Sequence, residues 1–291
     1  MSQVDCRSAL YMPASVEKVL AKGPVCAADA VILDLEDAVA PESKGRAREQ
    51  AVTALTQYDY GYRLRGLRIN AADTAWHQED VAAVARSRPD AVVLPKVESV
   101  DDIRRLSQAL DALPDTADIA VWAMMESPLA ILNAQTIAQS AGEYPRLSML
   151  IVGSNDLVRE AGMPMGQDRT LLVPWLMTLV AAARAYGLQI LDGVFNDFSD
   201  NAGLERECRQ GVAMGMDGKT LIHPSQIVTC NKLFAPSDEA LDEAQAIVDA
   251  FRDPHNAEAG VVQVRGKMVE RLHLDMALQL LARSERLAGR G

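Results

Sequence analysis

The sequence predicts an α/β protein built as a (β/α)8 TIM barrel with a C-terminal helical arm. Three observations predict it. Eight short apolar runs alternate with amphipathic helical stretches before the pattern stops near Leu233. The chain has 291 residues, an ordinary length for one such barrel. Charged and amide side chains gather at the C-terminal ends of the apolar runs, the rim where barrels of this kind keep their chemistry.

The elements follow in order. The apolar runs are "SALYMP" (8–13), "AVILDL" (30–35), "GLRIN" (66–70), "AVVLPK" (91–96), "IAVWAMME" (119–126), "LSMLIVG" (147–153), "LQILDGVF" (188–195) and "GKTLIHP" (218–224). Parallel strands need long crossovers, and the stretches between the runs read as helices. "ESKGRAREQAVTAL" sets polar residues on one face and Ala, Val and Leu on the other. "SVDDIRRLSQALDAL" has Ser99 as its N-cap and acids in its first turn. Beyond the barrel, "FAPSDEALDEAQAIVDAF" starts a helix capped by Ser237, "GVVQVRGKMVE" reads as a hairpin or extended arm, and "RLHLDMALQLLARSERL" reads as a final helix. Residues 1–235 are therefore expected to form the barrel. Residues 236–291 are expected to pack on it or on a neighbouring subunit.

Composition narrows the function. Hydrophobic residues make up 49%, enough for a large core. The net charge of −11 argues against nucleic acid or an anionic membrane as the partner, while a local basic pocket can still take a small anion. Cys6, Cys26, Cys208 and Cys230 show no metal-binding spacing and are expected to be reduced thiols. The N-terminus lacks the apolar run of a leader, and no segment reaches the ~20 apolar residues of a membrane span. A cytoplasmic location is expected.

The strand ends carry the chemistry. "AVILDLEDAVAP" puts Asp34, Glu36 and Asp37 where a buried strand leaves the core. Arg68 and Asn70 end the third run, Lys96 the fourth, Glu126 the fifth, Asn155 and Asp156 follow the sixth, and His223 ends the eighth. Glu126 and Asp156 stand on neighbouring units. Two carboxylates that close need a proton or a cation between them, and an all-oxygen donor set suits Mg²⁺. The other reading makes Glu126 solvated and Asp156 a cap. Arg68 either binds a carboxylate of the ligand in bidentate fashion or pairs with Glu36 or Asp37. Lys96 either contacts the ligand or balances the rim acids. His223 suits a structural hydrogen bond. A metal on two acids beside an arginine would chelate a 2-oxo acid and favour carbon–carbon bond chemistry next to its carbonyl. Ser/His/Asp, GxGxxG and Walker patterns are absent.

These motifs resemble the citrate lyase β-subunit-like proteins of the HpcH/HpaI aldolase/citrate lyase superfamily, which includes malyl-CoA and citramalyl-CoA lyases. "RSALYMPAS", "VILDLEDAVAPESKGRAR", "LRIN", "VVLPKVES", "MMESPLAILNA", "GSNDL", "GMDGKTLIHPSQI" and "GKMVE" occur in family order along nearly the whole chain. The resemblance implies a barrel that assembles as a homotrimer or a multiple of one. It implies Mg²⁺, with Mn²⁺ as a possible substitute, on Glu126 and Asp156. It implies Arg68 on the carboxylate of the 2-oxo acid part, with Gly153, Asn155 and Asp156 touching the substrate. Tyr11 and Lys22 are the matching CoA contacts, with Val16 where some members carry Arg. Glu36 and Asp37, with Lys96, fall near the metal's water shell and the arginine. Asp34, one layer deeper on the face of Glu36, is left without a role. The arm motif of many lyases ends in an Asp that serves a neighbouring site as acid/base. Here Glu270 stands in its place, one methylene longer.

The expected activity is Mg²⁺-dependent retro-Claisen cleavage of a malyl-CoA- or citramalyl-CoA-type thioester to acetyl-CoA or propionyl-CoA and glyoxylate or pyruvate. Three alternatives stay open: a malyl-CoA-type thioesterase, a citryl-carrier-protein lyase subunit, and a non-catalytic binding subunit.

Overall fold

The computed structural model describes residues 5–164, 169–256 and 259–290. Residues 1–4, on which the reading of the N-terminus partly rests, lie outside them. In chain order the elements are β1 (Ser8–Pro13), α1 (Glu17–Leu20), β2 (Ala30–Asp34), α2 (Lys44–Gln57), β3 (Leu64–Arg68), α3 (His77–Ser87), β4 (Ala91–Leu94) and α4 (Val100–Asp111). There follow β5 (Ala120–Met125), α5 (Pro128–Leu132), α6 (Ala134–Gln139), β6 (Leu147–Val152), α7 (Ser154–Glu160), α8 (Val173–Ala185), β7 (Gln189–Asp192), α9 (Asn201–Met214), β8 (Gly218–Leu221) and α10 (Ile227–Phe234). The chain ends with α11 (Asp238–Arg252), the strands β9 (Val261–Val264) and β10 (Lys267–Glu270), and α12 (Arg271–Ala288).

Strands β1 to β8 close into a barrel in sequence order, each parallel to its neighbours. All eight expected strands form. All but β1 end before the apolar runs do, β7 and β8 the furthest short, so Val194 and His223 sit on loops at the rim. Ser99 caps α4 and Ser237 caps α11, whose Ala240 N–H donates to the Ser237 hydroxyl at 3.2 Å. Among the described residues no helix is long and apolar enough to cross a membrane.

The chain divides into two compact units. The first is the barrel, Cys6–Asn231. Its interior is packed by alternating strand residues, with Ala9, Ala30, Ala91 and Ala120 making room for Trp122. Small and large side chains alternate to fill the tapered space. The second unit holds Asp5 and the segment from Lys232 onward. There α11 and α12 pack through Ala244, Val248 and Ala277, and the hairpin buries Val262, Val264 and Val269 against Phe251. Arg265 and Gly266, both at positive φ, form the two-residue hairpin turn. Asp5 is held in this unit by the Arg286 guanidinium, whose Nε donates at 2.7 Å.

Candidate active site

Strand alternation decides which side chains reach the barrel interior. Ala30 and Ile32 lie in the core, and the next residue on that face is Asp34. Ala120, Trp122 and Met124 lead in the same way to Glu126, and Met149 and Ile151 to Gly153. In β3, Leu64 packs against the core and its face runs up to Arg68. Apolar layers thus give way, at one end, to a ring of ionic groups around a cavity of about 370 Å³.

Arg68 is the centre of that ring. It is 8% exposed. Its Nε donates to Asp34 Oδ1 at 2.7 Å and its Nη2 to Oδ2 at 2.6 Å. Nη1 faces Asp37 at 3.4 Å and Glu36 at 3.0 Å. The guanidinium lies over the Tyr11 ring, 4.8 Å from its centroid. Burial alone would lower the arginine's pKa; the charge and hydrogen bonds of Asp34, with help from Glu36, more than reverse this. Arg68 therefore stays charged. Burial pushes the Tyr11 phenol up, against the pull of Arg68, so it stays neutral.

Asp34 had no role in the sequence reading, and it makes the bidentate contact to Arg68. Its carboxylate also accepts the backbone N–H groups of Glu36 at 2.9 Å and Ala38 at 3.2 Å. The signal was strand register: Asp34 and Arg68 are direct partners across β2 and β3. Lys44 was missed as well. Its buried ammonium donates at 2.7 Å to the carbonyls of Leu35 and Glu36 and to Asn70 Oδ1. A lysine opening a helix opposes the helix dipole, and that misplacement was the readable sign. It fastens the loop that carries Glu36 and Asp37.

Glu126 is 2% exposed and lines the cavity with Asp156. Its Oε1 accepts the Lys96 backbone N–H at 2.7 Å. Burial raises its carboxyl to about 7; the Lys96 N–H opposes this and Asp156 adds to it. Burial likewise pushes Glu36 up to about 8, with Arg68 opposing and Asp37, Glu126 and Asp34 reinforcing. Gly153 is required by this packing: a Cβ there would lie 2.3 Å from Glu126 Cβ and 2.5 Å from Oε2. Asp156 sits in the first turn of α7 and accepts a hydrogen bond from Arg159.

The expected site residues divide accordingly. Tyr11, Asp37, Arg68, Glu126, Gly153, Asn155 and Asp156 line one cavity. Asn155 exchanges side-chain hydrogen bonds with Asn196, at 3.2 and 2.7 Å. Glu36 stands behind it against Arg68. The Lys96 side chain is exposed and makes no ion pair among the described residues, while its backbone, turned by a φ of 53°, holds Glu126. Lys22 is exposed beyond α1 and is not part of the cavity lining. Glu270 lies in the second unit as the N-cap of α12, its N–H donating to His273 Nδ1 at 3.0 Å. His223 caps the turn after β8, as expected.

A divalent cation fits this donor set. Two carboxylates face one cavity, and Glu126 resists ionisation there until positive charge is added. Among the described residues no three His, Cys, Asp or Glu side chains form a cage of their own. An all-oxygen pair of carboxylates suits Mg²⁺, which keeps several positions for water and substrate.

A model of the HpcH/HpaI aldolase/citrate lyase family matches residues 7–224. The chain is 44% identical over 285 residues to a protein of Cereibacter sphaeroides named (3S)-malyl-CoA thioesterase, covering 98% of this chain and 96% of that one. It is 30% identical to the human mitochondrial protein named citramalyl-CoA lyase, covering 91% and 81%. The fold matches a crystal structure of CitE from Mycobacterium tuberculosis in complex with magnesium, acetoacetate and coenzyme A. There the TM-score is 0.78 and the identity 31%, over 97% of this chain and 98% of that one.

Proposed function

This chain belongs to the HpcH/HpaI aldolase/citrate lyase family, and from that premise we propose that it hydrolyses an acyl-CoA thioester of the (3S)-malyl-CoA type. The observation that carries the reading is one cavity that gathers Arg68, pinned by Asp34, with Glu126 and Asp156. Arg68 takes the free carboxylate of the acyl group through a charge-assisted hydrogen bond. Asp34 fixes the angle of the guanidinium, and Tyr11 supports its face. Glu126 and Asp156 would hold Mg²⁺, with Mn²⁺ as a substitute. Bound there, the metal supplies the charge that neutralises the carboxylates and polarises the hydroxy-acid end of the substrate. The Lys96 N–H and the absence of a side chain at Gly153 keep Glu126 in position.

In hydrolysis, water adds at the thioester carbon, the C–S bond breaks, and the sulfur leaves as a thiol with the proton. Glu270, from the arm of a neighbouring copy in a trimer, is the candidate base for that water. Two features favour hydrolysis over carbon–carbon cleavage. The chain is 44% identical to a relative named as a thioesterase and 30% to one named as a lyase. It also carries Glu270 where the motif of many lyases has Asp, and an extra methylene moves the carboxylate enough to change which atom it serves. The second reading is retro-Claisen cleavage to acetyl-CoA or propionyl-CoA and glyoxylate or pyruvate, supported by the likeness to lyases at 30%.

The site assignment is tested with Glu126→Ala at saturating Mg²⁺. A loss of kcat/KM on the order of 100-fold is expected. Wild-type turnover by that variant would sink it.

A further inference from the structure

Arg68 and Tyr11 share a contact that the reading of the site so far does not use. Arg68 Nη1 reaches Asp37 at 3.4 Å, and it also points at the Met124 sulfur, 3.9 Å away. The Tyr11 hydroxyl donates to the same sulfur at 3.7 Å. No other hydrogen bond of this hydroxyl occurs among the described residues. Met124 is the last residue of the β5 interior face below Glu126 and is 4% exposed. Tyr11, Arg68 and Met124 all line the cavity. Two donors from different strands, β1 and β3, therefore converge on one thioether in the cavity wall.

A thioether is a weak acceptor. A partly buried phenol aimed at nothing better keeps most of its capacity to donate, and it gains when a stronger acceptor arrives. The donors also define that acceptor. One guanidinium N–H and one O–H directed at a common point suit the two oxygens of a carboxylate. Other donors are scarce here. Nε and Nη2 of Arg68 are taken by Asp34, and the Lys96 ammonium is exposed outside the cavity lining. Asp34 and Asp37 already offset much of the guanidinium's charge. A further anion beside it gains from a donor that brings no charge of its own. The phenol is held neutral, so its proton is there to be shared.

We propose that the Tyr11 hydroxyl is the second donor to the free carboxylate of the acyl group, sharing it with Arg68 Nη1, and that the Met124 sulfur keeps both donors aimed until the carboxylate accepts from them instead. The proposal rests on the reading of the cavity as a malyl-type acyl-CoA site. It assigns Tyr11 to the acid end of the substrate. It also makes the pair selective: an acyl group without the carboxylate leaves both donors on the thioether.

The test is Tyr11→Phe, which keeps the ring under the guanidinium and removes only the hydroxyl. With Mg²⁺ present, its KM for malyl-CoA should be about tenfold above wild type, with kcat changed less than about threefold. A hydrogen bond to a charged group made equally in the bound and transition states is lost from both. Titration calorimetry with (S)-malate should show a loss of affinity of about tenfold as well. The control is 3-hydroxybutyryl-CoA, which has a methyl group where malyl-CoA has the carboxylate. Its inhibition constant should differ by less than about twofold between the two proteins. Unchanged KM and malate affinity, a fall confined to kcat, or an equal loss for 3-hydroxybutyryl-CoA would overturn the proposal. The melting temperature of Tyr11→Phe should stay within about 2 °C of wild type. A larger fall would show the hydroxyl committed to the fold, and would also overturn it. If the wild-type protein leaves malyl-CoA intact, the functional reading fails, and the malate titration still decides the tyrosine: weaker binding by Tyr11→Phe supports the proposal, and equal or absent binding rejects it.

Discussion

Arg68 and Asp34 form a buried pair with two parallel hydrogen bonds, and the pair explains the shape of the site at the scale of single residues. Two guanidinium nitrogens are committed to Asp34, so Nη1 is the group turned towards Glu36, Asp37 and an incoming anion. Arg68→Lys keeps a charge and loses this division of labour. Its KM for the acyl-CoA should rise by about 10- to 100-fold, read by steady-state kinetics. Asp34→Asn leaves a buried guanidinium without its counter-charge. Removing one partner of such a pair costs about 3 kcal/mol or more. The melting temperature should fall by about 6 °C or more by calorimetry. Glu36 and Glu126 titrate far above the usual 4.5, at about 8 and about 7, because both are buried. Between pH 4.5 and these values the folded, metal-free chain holds protons that the unfolded chain has released. Its stability should therefore fall as pH rises through that window. Mg²⁺ competes with the same protons, so its affinity should fall about tenfold per pH unit below 7 and level off above, as titration calorimetry at several pH values will read.

At the scale of elements, the loops after β4 and β6 place Glu126 from both sides. The β4 loop gives a backbone N–H from a lysine at positive φ, and the β6 loop gives a missing side chain. Gly153→Ala should weaken Mg²⁺ binding at least tenfold, because its new methyl overlaps the Glu126 carboxylate. Lys96→Ala keeps the N–H and should change Mg²⁺ affinity less than threefold. The reverse order of effects would contradict this picture. These two cases also mark what the sequence could convey. Period-two alternation was readable, and it carried Glu126 and Arg68 to the right rim. Conformation was not: "LPK" announces a strand end and a charge, and nothing in it says that the backbone of Lys96 and not its ammonium faces the site. Asp34 was visible as a buried acid, but its partner depends on the register between β2 and β3, which no local pattern encodes. Lys44 needed tertiary context for the same reason, since its three acceptors come from two other segments. The segment "GVVQVRGKMVE" read as a hairpin or an extended arm, and the structure forms the hairpin, with its turn at Arg265–Gly266.

For the whole molecule, a chain of net charge −11 binds an anionic substrate only by concentrating positive charge at one point. Arg68 supplies part of it, and in the proposed function a divalent cation on Glu126 and Asp156 would supply the rest. The second unit exposes Met268 on β10 and, one turn apart on α12, Leu272 and Met276, 77%, 64% and 59% accessible. Exposed large apolar side chains favour association between copies. Sedimentation should give a trimer or a multiple of one, and Met268→Asp with Leu272→Asp should shift the mass towards the monomer. Hydrolysis at the Arg68–Glu126–Asp156 cavity is read by incubating the Mg²⁺-loaded protein with (3S)-malyl-CoA and identifying the products by mass spectrometry. Free CoA and malate should appear in equal amounts. Acetyl-CoA and glyoxylate without malate would contradict it.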